Sequence, residues 1–240
     1  MEKPRVRGEL KSGDVKQGEV KRAPVTATSG AVTKAVPLAV PGPSVVVTDW
    51  RQGLPLLASA QITLRDLRVE DAPSLLVMLS SDEVARFTSA QPTTVEAFER
   101  FIEWARRERE AGNYLCFAVV PAGMTTAVGV FQVRSLEAGF GLGEWGFVIG
   151  SAFWGTGIYA EGAKLVLDFA FNVVGVHRLE ARASIANRRG NGALRKMGAV
   201  DEGVLRRSFR RHGEYHDQVL WSILAEDWFS QRVDGPPRIH

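Results

Sequence analysis

Residues 153–162 read FWGTGIYAEG: Gly155 and Gly157 stand two apart, behind an aromatic pair and ahead of a helical pattern. Glycine backbone at the mouth of a helix can approach a ligand closely, and the positive end of the helix dipole favours a phosphate there. A nucleotide P-loop would need G-x-x-x-x-G-K-[ST], and the lysine and hydroxyl are absent. A dinucleotide-binding fold is a closer rival, because residues 155–160 fit G-x-G-x-x-A and Glu180 follows about 20 residues on. Two facts oppose it. Ser151, Ala152, Phe153 and Trp154 separate the glycines from the preceding strand pattern, and 83 residues after Gly157 are too few for the remaining βαβ units. Other reactive side chains are few. Cys116, the single cysteine, lies in the apolar run YLCFAVV and reads as a buried structural thiol. One cysteine excludes an intramolecular disulfide and a Cys-rich metal site. His177, His212 and His216 form no metal-ligand pattern, so no metal is expected.

The elements that would hold this loop become legible from about residue 60. QITLRDL alternates like a strand, and RVEDAPSLLVML reads as a helix start with Pro73 at an early helical position. A second helix follows, with Val95, Phe98, Phe101, Ile102 and Ala105 on one face. NYLCFAVV, AVGVFQVRS and GEWGFVIG are strands separated by glycine-rich turns. After the glycine loop, Ala163, Val166, Leu167 and Ala170 repeat at helical spacing. HRLEARASI is a strand, GNGALRKMG a short helix closed by Gly198, and GVLRRSFRR and YHDQVLWSIL are the last two strands. The order β-α-α-β-β-β-α-β-α-β-β is that of one mixed sheet with helices.

Residues 1–58 differ from this body. They hold six of the eleven prolines and show no sustained period of 2 or 3.6, the composition of a flexible extension. The more apolar VPGPSVVVTDWRQGLPLL at its end can dock on the folded part. The isoelectric point of about 9.2 suggests nucleic acid, but the charge is uneven. Residues 1–40 carry eight basic and four acidic side chains, and the other 200 carry 22 and 23. The body is near neutral, which argues against a nucleic-acid partner. No apolar run is long enough to span a membrane, and MEKPRVRGEL lacks the apolar region of a secretory signal. The expected location is the cytoplasm.

Five blocks recur in order: ITLRDLRVEDAPSL with SSDEVARF, the loop FWGTGIYAEG, HRLEA at 177–181, NRRGNGALRKMGA at 187–199, and EGVLR with DQVLWSIL. Over some 170 residues they resemble the GNAT-type N-acetyltransferases. The branch they resemble most is that of the ribosomal-protein-alanine acetyltransferases, the RimJ/RimL type. That family writes its phosphate loop [RQ]-x-x-G-x-[GA], often as yWGkGyatEA, and its later helix as N-x-x-S-x-x-x-L-E-K-x-G-F. The resemblance implies a fold of the α/β (α+β) class: a single GNAT domain over 59–231, whose mixed, mostly antiparallel central sheet is flanked by helices. A C-terminal tail at 232–240 would follow. It implies acetyl-CoA as co-substrate and direct attack of a primary amine on the thioester, in a monomer or homodimer. The acceptor would be a protein N-terminal α-amine, or a small-molecule amine such as an amino acid, a polyamine or an aminoglycoside. A non-catalytic acyl-CoA-binding module is a further alternative.

The resemblance also assigns expected roles. The amides of Gly155, Thr156, Gly157, Ile158, Tyr159 and Ala160 would hold the CoA pyrophosphate. Backbone N–H groups near Phe147, Val148 and Ile149 would stabilise the oxyanion. Glu144 would be the general base, directly or through a water, or else a structural or substrate-orienting acid. Asn187 would bond the pantetheine arm, or only cap a helix. Arg188 and Arg189 would reach the ribose phosphate, or lie solvated at the surface. Gly190 is the main departure, standing where the family often has the serine that protonates the leaving thiolate. Ser184, Tyr159 and Tyr215 are the conceivable substitutes for that serine. Ala152 replaces the loop's Arg or Gln, and Tyr159 replaces a small residue. RRSFRR at 206–211 would attract an acidic substrate or a ribosomal surface, or be a strand with one solvated face.

Overall fold

The computed structural model describes residues 49–88, 91–211 and 213–233. Its elements are β1 (Leu57–Ala58), β2 (Ile62–Asp66), α1 (Ala72–Leu79), α2 (Asp82–Ala85), α3 (Val95–Glu110), β3 (Tyr114–Pro121), β4 (Gly129–Ser135), β5 (Leu142–Ile149), α4 (Ile158–Phe169), β6 (Arg178–Ser184), α5 (Arg188–Lys196), β7 (Val200–Arg211), β8 (Glu214–Leu224) and α6 (Ala225–Val233). One sheet runs β1-β2-β3-β4-β5-β6-β8-β7. Every pairing is antiparallel except β5 with β6. This is the expected mixed sheet. The short β1, α2 and α6 are additions to the expected order.

Alternation in the strands decides what covers each face. Leu115, Phe117 and Val119 of β3 pack in one cluster with Ala163, Val166 and Leu167 of α4. Their neighbours Tyr114, Cys116 and Ala118 turn to the other face and meet Leu75 and Leu79 of α1 and Phe98 and Ile102 of α3. Helices on both sides explain why β3 is apolar and buried at every position. Thr94 starts α3 by accepting from the N–H of Ala97 at 3.1 Å. Gly162 lets α4 lie close to the sheet, since a Cβ there would stand 2.4 Å from Cε2 of Phe131.

The opening block earns its form from one buried ion pair. The Arg65 guanidinium donates to both carboxylate oxygens of Asp71, each at 2.7 Å. Asp71 also accepts from the N–H of Arg68 at 2.9 Å, so the charge that starts α1 is fully bonded. Residues ahead of the expected boundary at residue 59 touch the folded part. Trp50 is buried and meets Phe140 edge-on at 5.6 Å, and Leu57 pairs with Leu64. The apolar end of the expected extension therefore docks, because Trp50 has a core site to fill. Residues 1–48 and 234–240 of the expected tails lie outside the described residues.

Candidate active site

The parallel pairing of β5 with β6 covers three positions, Leu142↔Arg178, Gly143↔Leu179 and Glu144↔Glu180. Beyond them β5 stays with β4 and β6 stays with β8, so the sheet opens between residues 145–149 and 181–184. Backbone direction in β5 follows from its neighbours. Gly150 donates to Val128 O at 2.9 Å and Leu142 O accepts from Leu136 at 2.9 Å, so even-numbered residues bond toward β4. Odd-numbered residues face the gap, as His177 N–H donating to Gly141 O at 2.8 Å shows. The N–H groups of Phe147 and Ile149 thus point into the opening. That of Val148 points into the β4 ladder and is not among the amides facing the gap. The Ile149 carbonyl accepts from the Trp154 indole N–H at 2.8 Å.

The glycine loop closes the open end. Gly155 has φ 79° and Gly157 φ 94°, left-handed values that any other residue would adopt only with strain. Gly157 occupies the N-cap of α4 with no side-chain cap, and the first helical N–H to be accepted is that of Glu161, by Gly157 O at 3.2 Å. The amides of Ile158, Tyr159 and Ala160 precede it and emerge from the helix end. Residues 155–157 are exposed, and a Cβ on Gly155 would meet nothing within 4 Å. The Thr156 hydroxyl is turned back and donates to Phe153 O at 2.8 Å. Uncapped amides at an open helix terminus suit a phosphate, and unpaired strand amides suit a chain carrying its own amide groups. The residues present therefore fit CoA.

Across the gap, Asn187 caps α5 by accepting from the N–H of Gly190 at 2.8 Å. A Cβ on Gly190 would lie 2.5 Å from Nδ2 and 2.9 Å from Cγ of Asn187, so this glycine and this cap belong together. Asn191, which sequence reasoning passed over, is the buried tie. Its amide donates to Ser184 O at 2.9 Å and Asn187 O at 2.8 Å, and its oxygen accepts from Trp221 Nε1 at 2.9 Å. Arg188 is exposed at the start of α5. Arg189 lies over the Trp154 ring, 3.6 Å from its centroid, and so spans from α5 to the glycine loop. Trp154 was legible only as a member of the loop block. Its pairing with Arg189 is set by the fold.

Glu144 projects on the face away from α4, at the closed end of the gap. Its carboxylate accepts from Arg134 Nη2 and lies 3.9 Å from Arg182 Nη1. The chain of charge continues through Arg182–Glu180 at 3.8 Å, Arg178–Glu180 at 3.2 Å and Arg178–Glu202 at 2.9 Å. Beyond Arg134, a groove of about 370 Å³ is lined by Trp104, Tyr114, Leu136 and Glu137. Tyr159 packs its ring 4.4 Å from that of Phe147, and its buried hydroxyl has no hydrogen-bond partner among the described residues. Burial holds that phenol well above the usual tyrosine range. Ser184 is buried at the end of β6, whereas Tyr215 is 54% exposed on the β7–β8 hairpin. The structure thus brings Phe147, Ile149, the loop, Asn187 and Arg189 around one opening, with Tyr215 outside it. Among the described residues no cluster of His, Cys, Asp or Glu could hold a metal, and no helix is long and apolar enough to cross a membrane.

A sheet that parts between two parallel strands over a glycine-rich helix start defines an acyl-CoA-dependent transferase fold. The family model described as Acetyltransferase (GNAT) domain matches residues 61–200, and the chain belongs to this family of acetyl-CoA-dependent N-acetyltransferases. An uncharacterized N-acetyltransferase of Bacillus licheniformis, p20, is 24% identical over 173 residues, 72% of this chain and 97% of its own. Among solved structures, Mycobacterium smegmatis RimJ in complex with CoA-disulfide has a TM-score of 0.64 at 23% identity, covering 69% of this chain and 83% of its own. The ribosomal-protein-S5-alanine acetyltransferase of Vibrio fischeri has a TM-score of 0.66 at 19% identity, covering 72% and 98%.

Proposed function

We propose that the protein acetylates the free α-amine at the N-terminus of a protein or peptide, using acetyl-CoA bound in the gap between β5 and β6. The observation that carries the reading is the pairing of an opened sheet with an uncapped helix start, two sets of N–H donors in one cleft without acceptors among the described residues. The acceptor class is supported by the block order of the sequence and by the name of the Vibrio fischeri relative, a ribosomal-protein-S5-alanine acetyltransferase.

Acetyl-CoA supplies an activated acyl carbon. The chain's residues do the rest. The amides of Ile158, Tyr159 and Ala160 hold the pyrophosphate, and Arg189, steadied on Trp154, adds a cation beside it. The N–H groups of Phe147 and Ile149 face the place where a carbonyl oxygen gains negative charge. Glu144 takes the proton of the incoming ammonium, directly or through a water. Arg134 and Arg182 compete for that carboxylate, which supports the alternative that Glu144 orients the acceptor instead. Asn187 spends its oxygen on the α5 cap and keeps its Nδ2 for the pantetheine arm.

The test is release of free CoA from acetyl-CoA with peptides bearing a free α-amine, the same peptides blocked at that amine, and a panel of small amines. Turnover with free peptides and none with blocked ones is expected. Turnover confined to the small amines would overturn the acceptor class.

A further inference from the structure

Gly146 leaves a notch in the face of the sheet that carries Glu144. On that face β4 presents Val130, Gln132 and Arg134, and β5 presents Val148, Gly146 and Glu144 directly opposite them. Val130 and Val148 are buried under α1 and α3, whereas Arg134 and Glu144 pair outside that cluster. Gln132 and Gly146 stand at the boundary, both half-buried. Gly146 is also the first residue of this face past Glu144↔Glu180, the last pair that joins β5 to β6. A glycine inside a strand gives up side-chain packing and often marks the close approach of a ligand or of another chain segment. Here Gln132 approaches from one side, since a Cβ on Gly146 would stand 3.3 Å from its Nε2.

The amide of Gln132 has a fixed sense. Tyr114 is 5% exposed, and its hydroxyl donates to Gln132 Oε1. Burial holds that phenol well above the usual tyrosine range, so it keeps its proton and remains the donor. An amide whose oxygen is taken in this way presents its NH2 group on the other side. Among the described residues Nε2 meets no acceptor, although it lies beside the notch, next to Glu144 on this face. Groups two residues apart on one strand face stand about 6.5–7 Å apart. One α-amino acid residue spans that interval, its amine bonded to the carboxylate and its carbonyl oxygen to the amide, with about 2.9 Å at each bond.

We propose that Gln132 binds the acceptor, donating from Nε2 to the carbonyl oxygen next to the reacting amine, and that the site thereby selects α-amino carbonyl compounds over plain amines. The proposal rests on the peptide-amine reading above and names the feature of the peptide that is recognised. An amine without a neighbouring carbonyl leaves the Gln132 donor unpaired in the acceptor's path. A polyamine chain offers methylenes and further ammonium donors at that point, and no acceptor.

Release of CoA by the full chain is measured with a peptide that begins in alanine and with a twin in which a trans-alkene replaces the first peptide bond. The twin keeps the amine and the shape and loses the carbonyl oxygen. Its amine is also more basic, so each preference is read as wild type against variant on the same pair. Wild type is expected to favour the peptide about tenfold in kcat/KM. Gln132→Leu should remove that preference through the KM for the peptide, with the KM for acetyl-CoA unchanged. Gln132→Glu keeps an acceptor for Tyr114 but sets an oxygen against the carbonyl, and should reverse the preference about tenfold toward the twin. A misfolded chain would lower both substrates alike. Equal loss on peptide and twin in both variants, or a preference that neither variant changes, would overturn the proposal. If free peptides are not turned over, alaninamide and 2-aminobutane make the same comparison. A preference for alaninamide that vanishes in Gln132→Leu would then retain the carbonyl contact while refuting the protein N-terminus as acceptor. No preference within that pair would refute both.

Discussion

The Arg189 guanidinium carbon lies over the Trp154 ring, 3.6 Å from its centroid, joining the start of α5 to the glycine loop across the opening of the sheet. The Trp154 indole is itself pinned by its bond to Ile149 O. A cation that would otherwise sample solvent is thereby held beside the helix terminus proposed for the pyrophosphate. Arg189→Ala is expected to raise the KM for acetyl-CoA about 5- to 10-fold with kcat nearly unchanged. Trp154→Ala should do the same, and the double variant should add little, because both remove one contact. Steady-state kinetics with acetyl-CoA varied would show it.

Glu144 stands between two arginines at the closed end of the gap. As a general base its replacement by Gln is expected to lower kcat about a hundredfold or more and to flatten the acid limb of the pH–rate profile. A kcat within tenfold of wild type, with the limb intact, would assign the carboxylate to holding Arg134 and Arg182.

Gly190 and Asn187 form one unit. Gly190→Ser places a Cβ 2.5 Å from the Asn187 amide nitrogen and forces that side chain off its cap. The loss expected is about 1 kcal/mol, a fall in Tm of roughly 2–4 °C. The added hydroxyl should not raise kcat, because the cap and the proposed Asn187 contact are lost together. Thermal melting and kinetics of the same variant test both halves.

The Arg65–Asp71 pair is buried at both ends, with 8% and 3% exposure. Asp71→Asn leaves a guanidinium without its counter-charge and is expected to cost about 3–5 kcal/mol. Chemical denaturation would report it as a lower midpoint with an unchanged slope.

Burial pushes the Cys116 thiol up to about 12. The folded state therefore keeps its proton where an unfolded thiol has lost it. Stability from this group is complete below the unfolded value near 8.5 and declines as pH rises toward 12. At pH 8 a thiol reagent should label Cys116 only after denaturation. Cys116→Ser should flatten the alkaline decline in stability.

Local pattern was enough to determine much of this protein. The alternation of β3 and the helical spacing of α3 and α4 state which faces are covered, because period alone decides what a side chain meets. Gly155 and Gly157 announced a backbone that turns left-handed before a helix, and the blocks around them gave the family. Where the segment before residue 59 docks was not legible, because nothing local says that Trp50 has a pocket beside Phe140. The opening itself is a tertiary fact. Strands β5 and β6 each look complete in sequence, and only their partners β4 and β8 draw them apart after three pairs. Arg189 on Trp154, Asn191 on Trp221, and Arg211 on Thr88 join residues 30 to 123 positions apart. Such pairs carry no period and no spacing. They arise when the sheet sets its edges side by side, and that placement turns a glycine loop into a site.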